Sequence, residues 1–431
     1  MDIIWRAFYN TIVVPALFVG FHLGARFNAK TREGITGRRN VFTNLKSQLE
    51  STRELDRTVW FHFTSVGEFE QAKPLVEAVK DDTRIVLTYF SPSVHPNIAK
   101  YPHCDAASYL PLDTIRNTER LIQLIKPSVL IFSKFDIWPN LVWCASKRGI
   151  PIILIAGSLH AKSKRLTPFA RSFFKCVHHH ISVHCVISNL DAQRFRRICP
   201  LNAQIQVTGD TRFDRVFQHA TAIEPDAQFF PGQSTLKRPI LIAGSTYSKD
   251  ERVLFEACHL LRRDSPQDMP SLVLVPHEPT AERISEIRTQ LLRQGFTHTC
   301  FSELKAVDDL SKIDVIVIDI VGMLAKLYRL GDLAFVGGSF SGSVHNVMEP
   351  AAMAKPILFG PTIHNAHEAY LLKDRGAAYL VNSVKEMADV LKLLLSNPDL
   401  CDRMGKIAME TIEENLGATQ RTLAHIKPYL T

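Results

Sequence analysis

The sequence lacks most of the short motifs that identify a catalytic class by themselves. It has no GxGxxG, no GxxxxGK[ST] and no GxSxG, which argues against a dehydrogenase, a P-loop NTPase and an α/β-hydrolase. Its eight cysteines are scattered without a CxxC pair, and no HExxH is present. Neither a disulfide framework nor a metal site is therefore indicated, and a reducing compartment is expected.

Acidic residues are fewer than basic ones, and this imbalance bears on the partners of the chain. Lys and Arg total 51 against 43 Asp and Glu, a net charge of +8, and 46% of the 431 residues are hydrophobic. Such a composition is typical of a folded protein of about two domains. The positive charge favours an anionic partner, such as nucleic acid, an acidic membrane surface or a phosphorylated substrate. No stripe of aromatic residues interleaved with basic ones is present, so nucleic acid is not expected.

The first 32 residues predict a membrane anchor. The segment 7–23 is mostly apolar and carries no full charge, but it is short for a membrane-spanning helix, and Asn10, Pro15 and His22 interrupt it. Basic residues flank it, namely Arg6, Arg26, Lys30, Arg32, Arg38 and Arg39. We interpret the segment as an anchor at the membrane surface, with these basic residues facing anionic headgroups. An amphipathic helix buried against its own domain is the alternative.

Beyond residue 33, strand and helix signals alternate in two halves. Short apolar runs such as PIILIA at 151–156 and DVIVID at 314–319 are separated by segments with apolar residues at helical spacing. This pattern predicts an α/β fold with parallel sheets. The predicted domains are 33–220 and 239–410. Residues 221–238, rich in proline, form the linker, and 411–431 form a helix that returns to the first domain. Sites are expected at the carboxyl ends of the strands, in a cleft that the two domains face.

Glu68 is the first candidate for chemistry. It follows the apolar run 59–63 in the segment Ser65-Val66-Gly67-Glu68, where a strand turns into a helix. A carboxylate at such a turn can remove a proton from a substrate hydroxyl. The alternative is a first-turn glutamate that only complements the helix dipole.

Two segments of the second half predict a ligand site. Gly244-Ser245-Thr246 comes directly after a predicted strand and offers amides and hydroxyls to a phosphate, although Ser and Thr also serve as ordinary caps. The longer segment 337–350 reads GGSFSGSVHNVMEP and is rich in small residues beside His345, Asn346 and Glu349. Polar residues in a glycine-rich loop after a strand favour a bound ligand. The run of histidines at 178–180 is interpreted as a surface or packing feature, because adjacent residues do not converge on one ion.

Several motifs together resemble the 3-deoxy-D-manno-octulosonic acid (Kdo) transferases of lipopolysaccharide synthesis. They are SVGE at 65–68, LTYFSP at 87–92, DIWPN at 136–140, VTGD at 207–210, AGST at 243–246, VGGSF at 336–340, HNVMEPA at 345–351 and FGP at 359–361. The resemblance implies a GT-B fold, two Rossmann-like domains facing a cleft. It also implies an inverting, metal-independent transfer of Kdo from CMP-Kdo to a lipid A precursor, without a cofactor. The enzyme would act at the cytoplasmic side of the inner membrane.

The resemblance also implies roles for individual residues. Glu68 matches the general base of the family, and the first domain would bind the acceptor. The donor-binding positions in the second domain are Ser245, Thr246, Pro276, His277, Gly338, Ser339, Asn346 and Glu349. Candidate phosphate or acceptor contacts are Arg212, Lys134 and Ser65, with a structural ion pair as the alternative for Arg212.

Two positions depart from the family pattern and keep other functions open. Lys134 stands where many members have a glutamate, and His277 stands where an arginine is frequent. The alternatives are another GT-B lipid glycosyltransferase, a nucleotide-sugar epimerase, and a degenerate membrane-attached scaffold without activity.

Overall fold

The computed structural model describes residues 2–52, 55–224, 226–266, 269–306 and 309–430. The chain forms two compact units. Unit 1 comprises residues 1–214 and 416–431, and unit 2 comprises residues 215–415. Pro225 of the predicted linker lies outside the described residues.

Unit 1 is built on a parallel sheet. Within its described residues the sheet has seven strands in the order β3-β2-β1-β4-β5-β6-β7. Strands β1 and β5 are buried along their whole length, which explains their largely apolar sequences, since helices cover both faces of such a sheet. The strands are β1 Thr58–Phe63, β2 Arg84–Tyr89, β3 Ala106–Tyr109, β4 Val129–Ser133, β5 Ile152–Gly157, β6 Val183–Val186 and β7 Ile205–Val207.

The helices of unit 1 cover this sheet, and the end of the chain joins them. Leu423 and Ile426 of the last helix belong to the same hydrophobic core as the strands. The helices are α1 Asp2–Phe8, α2 Val14–Phe27, α3 Ala29–Gly37, α4 Val41–Glu50, α5 Val66–Val79, α6 His95–Ile98, α7 Ile115–Ile125, α8 Pro139–Lys147, α9 Pro168–His178, α10 Asn189–Ile198 and α19 Ala418–Ile426; α11, Arg212–Thr221, begins at the end of unit 1. A π-helical turn, Tyr9–Val13, joins α1 to α2.

Unit 2 repeats the architecture of unit 1. Its described residues form a parallel sheet of seven strands in the order β10-β11-β9-β8-β12-β13-β14. The strands are β8 Ile240–Thr246, β9 Ser271–Pro276, β10 His298–Cys300, β11 Val315–Val317, β12 Leu333–Val336, β13 Ile357–Phe359 and β14 Ala378–Leu380. The helices are α12 Ser248–Asp264, α13 Ala281–Arg293, α14 Leu324–Leu327, α15 Met348–Ala352, α16 His367–Asp374, α17 Val384–Leu395 and α18 Pro398–Glu413.

Two local predictions were wrong. Ser245 and Thr246 do not follow strand β8 but end it, because the pairing of β8 with β9 shifts register between Gly244 and Thr246, and Ser245 takes a φ of 53°. Arg38 does not face outward towards headgroups. Its guanidinium donates to the carbonyl oxygens of Gly34, Phe90 and Leu110, and this half-buried cation therefore fixes the loops around it.

Candidate functional site

In unit 1, Glu68 lies in the turn between β1 and α5. Ser65 is the N-cap of α5, and its hydroxyl accepts a long hydrogen bond from the Glu68 amide at 3.4 Å. The carboxylate reaches back, and its Oε2 accepts hydrogen bonds from the amides of Thr64 at 2.6 Å and Ser65 at 3.1 Å. This reciprocal arrangement is a capping box, which satisfies amides that the helix leaves without partners. The carboxylate is therefore held in one orientation.

Burial and a neighbouring acid raise the pKa of Glu68. The residue is only 5% exposed, and desolvation is the largest cause of the shift, followed by the negative charge of Asp136. The two amides and the charge of Lys134 act in the opposite direction, and burial prevails. A carboxyl with a raised pKa is a stronger proton acceptor in its ionised form, which suits a general base. Position and electrostatics are thus compatible with the predicted role.

The loop between β4 and α8 supplies the charges around Glu68. Lys134 directly follows β4 with a φ of 70°, and its ammonium lies 5.5 Å from the centre of the Phe135 ring. Asp136 forms an ion pair with Arg165 at 3.3 Å. The Arg165 guanidinium also stacks on Phe135 at 4.6 Å, so this cation is held in place on two sides. Sequence reasoning overlooked Arg165 because it lies about thirty residues from its partner in the chain.

An apolar cavity adjoins the Glu68 turn. It has a volume of about 460 Å³, and its lining includes Thr64, Asp136 and Arg165 as well as Phe8 and Val13 of the N-terminal segment. The Thr64 hydroxyl oxygen is buried and has no hydrogen-bond partner among the described residues. The lining of the cavity thus combines apolar side chains with a few polar ones next to the Glu68 turn.

Arg212 makes the structural ion pair that the sequence left open. Its Nη2 donates to Oδ2 of Asp210 at 2.7 Å, and Asp210 is buried. The charge and hydrogen bonds of Arg212 hold the pKa of Asp210 below its usual value despite burial. Asp210 also accepts a hydrogen bond from Gln71 of α5 at 3.2 Å. Contact of Arg212 with a phosphate remains a prediction.

In unit 2, the glycine-rich loop after β12 packs directly on the end of β8. A Cβ on Gly337 would lie 2.5 Å from the carbonyl oxygen of Ser245, and one on Gly338, whose φ is 91°, would lie 2.3 Å from that of Ser343. Only glycine fits at these positions, because the backbones touch. The loop and Ser245-Thr246, two separate sequence motifs, therefore form one surface.

Asp250 holds this loop and was missed by the sequence analysis. It is fully buried in the first turn of α12, and its carboxylate accepts hydrogen bonds from the amides of Gly338 at 2.9 Å and Phe340 at 3.1 Å. The Thr246 hydroxyl donates to Glu251 at 2.9 Å. The Thr246 hydroxyl, which we expected to face a phosphate, and the two loop amides are thus engaged within the protein.

Three aromatic rings stack beside the loop. The rings of His277 and His345 are 4.4 Å apart and nearly parallel, and Tyr247 lies 4.9 Å from the former and 5.5 Å from the latter. Burial, and then the neighbouring His277, lowers the pKa of His345 to about 4, so this ring is neutral at pH 7. Its Nε2 is buried without a hydrogen-bond partner in the described part of the chain. Tyr247 and His345 have no assigned role in the sequence-based prediction.

The other predicted donor-site residues lie at the same edge of the sheet. Pro276 ends β9 opposite Thr246. Asn346 donates to Oε1 of Glu349 at 3.0 Å, and both side chains are partly exposed. Ser339 is different, because it is fully buried and its hydroxyl accepts the amide of Gly360 at 2.6 Å. Its side chain supports the loop and does not face solvent.

The side chains of the three histidines at 178–180 do not converge on one point. The buried His178 is hydrogen-bonded through Nδ1 to Nε2 of His184 at 2.9 Å, and His184 is bonded in turn to the carbonyl oxygen of Gln204 at 3.3 Å. Cys199 lies 3.5 Å from the same His184 nitrogen. Burial lowers the pKa of both imidazoles, so the three side chains form a neutral, hydrogen-bonded part of the core.

Comparisons of the sequence with known proteins lead to one group of transferases. A family model described as 3-deoxy-D-manno-octulosonic-acid transferase (kdotransferase) matches residues 33–215. A relative from Haemophilus influenzae, named 3-deoxy-D-manno-octulosonic acid transferase, is 25% identical over 99% of both chains. One of the same name from Chlamydophila psittaci is 28% identical over 86% of this chain and 85% of its own. By these comparisons the chain is similar to Kdo transferases over nearly its whole length.

A solved structure supports the fold independently. The UDP-GlcNAc 2-epimerase from Neisseria meningitidis bound to UDP-GlcNAc is similar over 84% of this chain and 99% of its own, with a TM-score of 0.55 and 15% identity. At this identity the likeness concerns the fold alone. Together with the two parallel sheets, the likeness confirms the predicted GT-B class of fold. The similarity to Kdo transferases, and not the fold, indicates a glycosyltransferase.

Proposed function

We propose that the protein transfers Kdo from CMP-Kdo to a sugar hydroxyl of a lipid A precursor, with inversion and without a metal ion. The observation that carries the proposal is similarity to Kdo transferases over the whole chain, from the family model in unit 1 to relatives that extend through unit 2. The buried carboxylate at the motif position of the family base supports it.

In this mechanism Glu68 acts as the general base. Its carboxylate accepts the proton of the acceptor hydroxyl, and the freed oxygen attacks the anomeric carbon of Kdo while the bond from that carbon to the phosphate of CMP breaks. Because Oε2 is held by the amides of Thr64 and Ser65, the carboxylate does not rotate away before the proton moves.

Unit 2 would bind the donor. The partly exposed Asn346 and Glu349 are hydrogen-bonding groups for the sugar or the ribose, and the exposed ring of His277 is a donor for the phosphate. Because the amides of Gly338 and Phe340 already bond to Asp250, the loop acts mainly through its shape and through these side chains.

The proposed location is the cytoplasmic face of the inner membrane. By length and composition, the helical segment Asp2–Phe27 could reach into a bilayer. Only 6% of its most apolar stretch is buried within the protein. An excess of positive charge would favour an anionic bilayer and a phosphorylated acceptor.

A nucleotide panel combined with a transfer assay tests the proposal. We expect CMP, and not UDP or ADP, to raise the melting temperature, and CMP-Kdo to extend a tetraacylated lipid A precursor. Stabilisation by UDP with no transfer would favour an epimerase or another lipid glycosyltransferase. Neither stabilisation nor transfer would favour a scaffold without activity.

A further inference from the structure

The N-terminal helix is held against unit 1 over its first half. Asp2, Trp5, Arg6, Tyr9 and Asn10 follow helical spacing and all turn towards the unit. The Tyr9 hydroxyl is buried and donates to Asp113 at 2.8 Å. Asn10 exchanges two hydrogen bonds with Asn140, at 2.8 and 3.1 Å, and Trp5 packs on Phe169 at 4.9 Å.

This docking leaves too little helix to cross a bilayer. Residues 14–27 form the rest of the helix, and at 1.5 Å per residue they are about 21 Å long. The hydrocarbon core of a bilayer is about 30 Å thick. For the helix to span the membrane, its first half would have to detach from the rest of unit 1. The buried Asp113 would then lose its hydrogen bond from Tyr9. The helix is built to lie along a surface.

The outward side of the helix is mostly apolar. Its large exposed apolar side chains are Ile3, Ile4, Ile12, Phe18, Val19, Leu23 and Phe27. The apolar row continues onto α9 through Phe169, which is 63% exposed and contacts Trp5 and Phe8 of the helix. A row of this kind fits the boundary between headgroups and acyl chains.

The apolar row meets α9 within a strongly basic stretch of the chain. Residues 137–190 contain seven Lys and Arg and no Asp or Glu. Three of the lysines, Lys162, Lys164 and Lys175, are exposed and lie within seven residues of Phe169 in the sequence. At the other end of the row, Arg26, Lys30 and Arg32 are exposed as well. Positive charge at both ends of an apolar row matches an anionic lipid surface.

We propose that α9 and the loop before it form a second membrane contact, which acts together with the outward face of the N-terminal helix on an anionic bilayer. The helix then lies in the interface and does not cross it. The cavity next to the Glu68 turn is lined in part by Phe8 and Val13 of this helix, so a lipid-borne hydroxyl would approach that turn from the membrane. This last consequence rests on the proposed function; the membrane contact does not.

Vesicle binding tests the second contact. The K162Q/K164Q/K175Q variant of the full chain is compared with K385Q/K392Q/K406Q, which removes the same charge from exposed lysines of unit 2. With vesicles of phosphatidylcholine and phosphatidylglycerol, each lost charge weakens partition by about fivefold, so the first variant should bind about a hundredfold more weakly than the second. Equal binding of both variants would overturn the proposal. A stable dimer of the wild type without lipid, lost in the first variant, would also overturn it.

The position of the helix is tested separately. An epitope tag fused before Met1 should be cleaved by protease added outside vesicles that carry the bound protein, and its protection would show a spanning helix. Kdo transfer then separates the two proposals. If the proposed function holds, the first variant should lose transfer to vesicle-embedded precursor but keep transfer to precursor in detergent micelles. If the first variant binds vesicles weakly but the wild type shows no Kdo transfer at all, the proposed function is rejected and the membrane contact is retained.

Discussion

Replacement of Glu68 by glutamine separates its two roles in the structure. Glutamine is a capping-box residue as well, because its amide oxygen can accept the hydrogen bonds from Thr64 and Ser65 that now end on Oε2. We therefore expect the free energy of unfolding of Glu68→Gln to change by less than about 0.5 kcal/mol. The variant cannot take a proton, and loss of a general base costs about 10²- to 10⁴-fold in kcat.

The assay measures initial rates of CMP release with CMP-Kdo and lipid A precursor, together with thermal unfolding and the affinity for CMP. Ser65→Ala is the matched control, since it removes the cap hydroxyl but keeps the carboxylate. It should lose about 1 kcal/mol of stability and keep kcat near the wild-type value. Because Ser65 is also a candidate acceptor contact, its loss is expected to affect the KM for the acceptor and not kcat. An active Glu68→Gln enzyme would refute the role of the base. Equal losses of kcat in both variants would show that Glu68 serves only to cap α5.

Three further predictions concern the surroundings of the site. Asp136→Asn removes a like charge near Glu68, so the pKa of Glu68 should fall. Activity is lost as Glu68 is protonated, so the acid limb of the kcat–pH profile should move to lower pH. An acid limb at the wild-type pH would contradict this. Gly338→Ala should abolish CMP binding, measured by calorimetry, because a Cβ has no room in the loop; retained affinity would argue against this loop as the donor site. Arg212→Met should lower the free energy of unfolding by about 3 kcal/mol in denaturant titrations, because it leaves Asp210 buried and unpaired, and Asp210→Asn in the same chain should restore part of the loss. Full stability of the single variant would favour a role in phosphate binding alone.

The sequence pattern reveals the central strands of this fold and obscures the outer ones. Strands such as Ile152–Gly157 are buried on both faces, so their apolar runs stand out from the helices around them. Ala106–Tyr109, His298–Cys300 and Ala378–Leu380 escaped prediction. They are three or four residues long and lie at or next to the sheet edges, where fewer apolar residues are required.

At the candidate site, the sequence indicates which segments gather but not which groups stay available to a ligand. The motifs at 244–246 and 337–350 do meet in unit 2. The sequence, however, does not predict that Asp250 binds the loop amides. An aspartate in the first turn normally complements the dipole of its own helix. Arg38 was misjudged for a similar reason. Its charge suggested headgroups, but the carbonyl oxygens that it bonds come from segments distant in sequence.

Mass spectrometry of the lipid product tests the central claim most directly. Incubation of the protein with CMP-Kdo and a tetraacylated lipid A precursor should yield the precursor enlarged by one or more Kdo residues, with release of an equal amount of CMP, and Glu68→Gln should yield almost none. An unchanged precursor after incubation with a folded protein that binds CMP, or the same product from Glu68→Gln at the wild-type rate, would contradict the account.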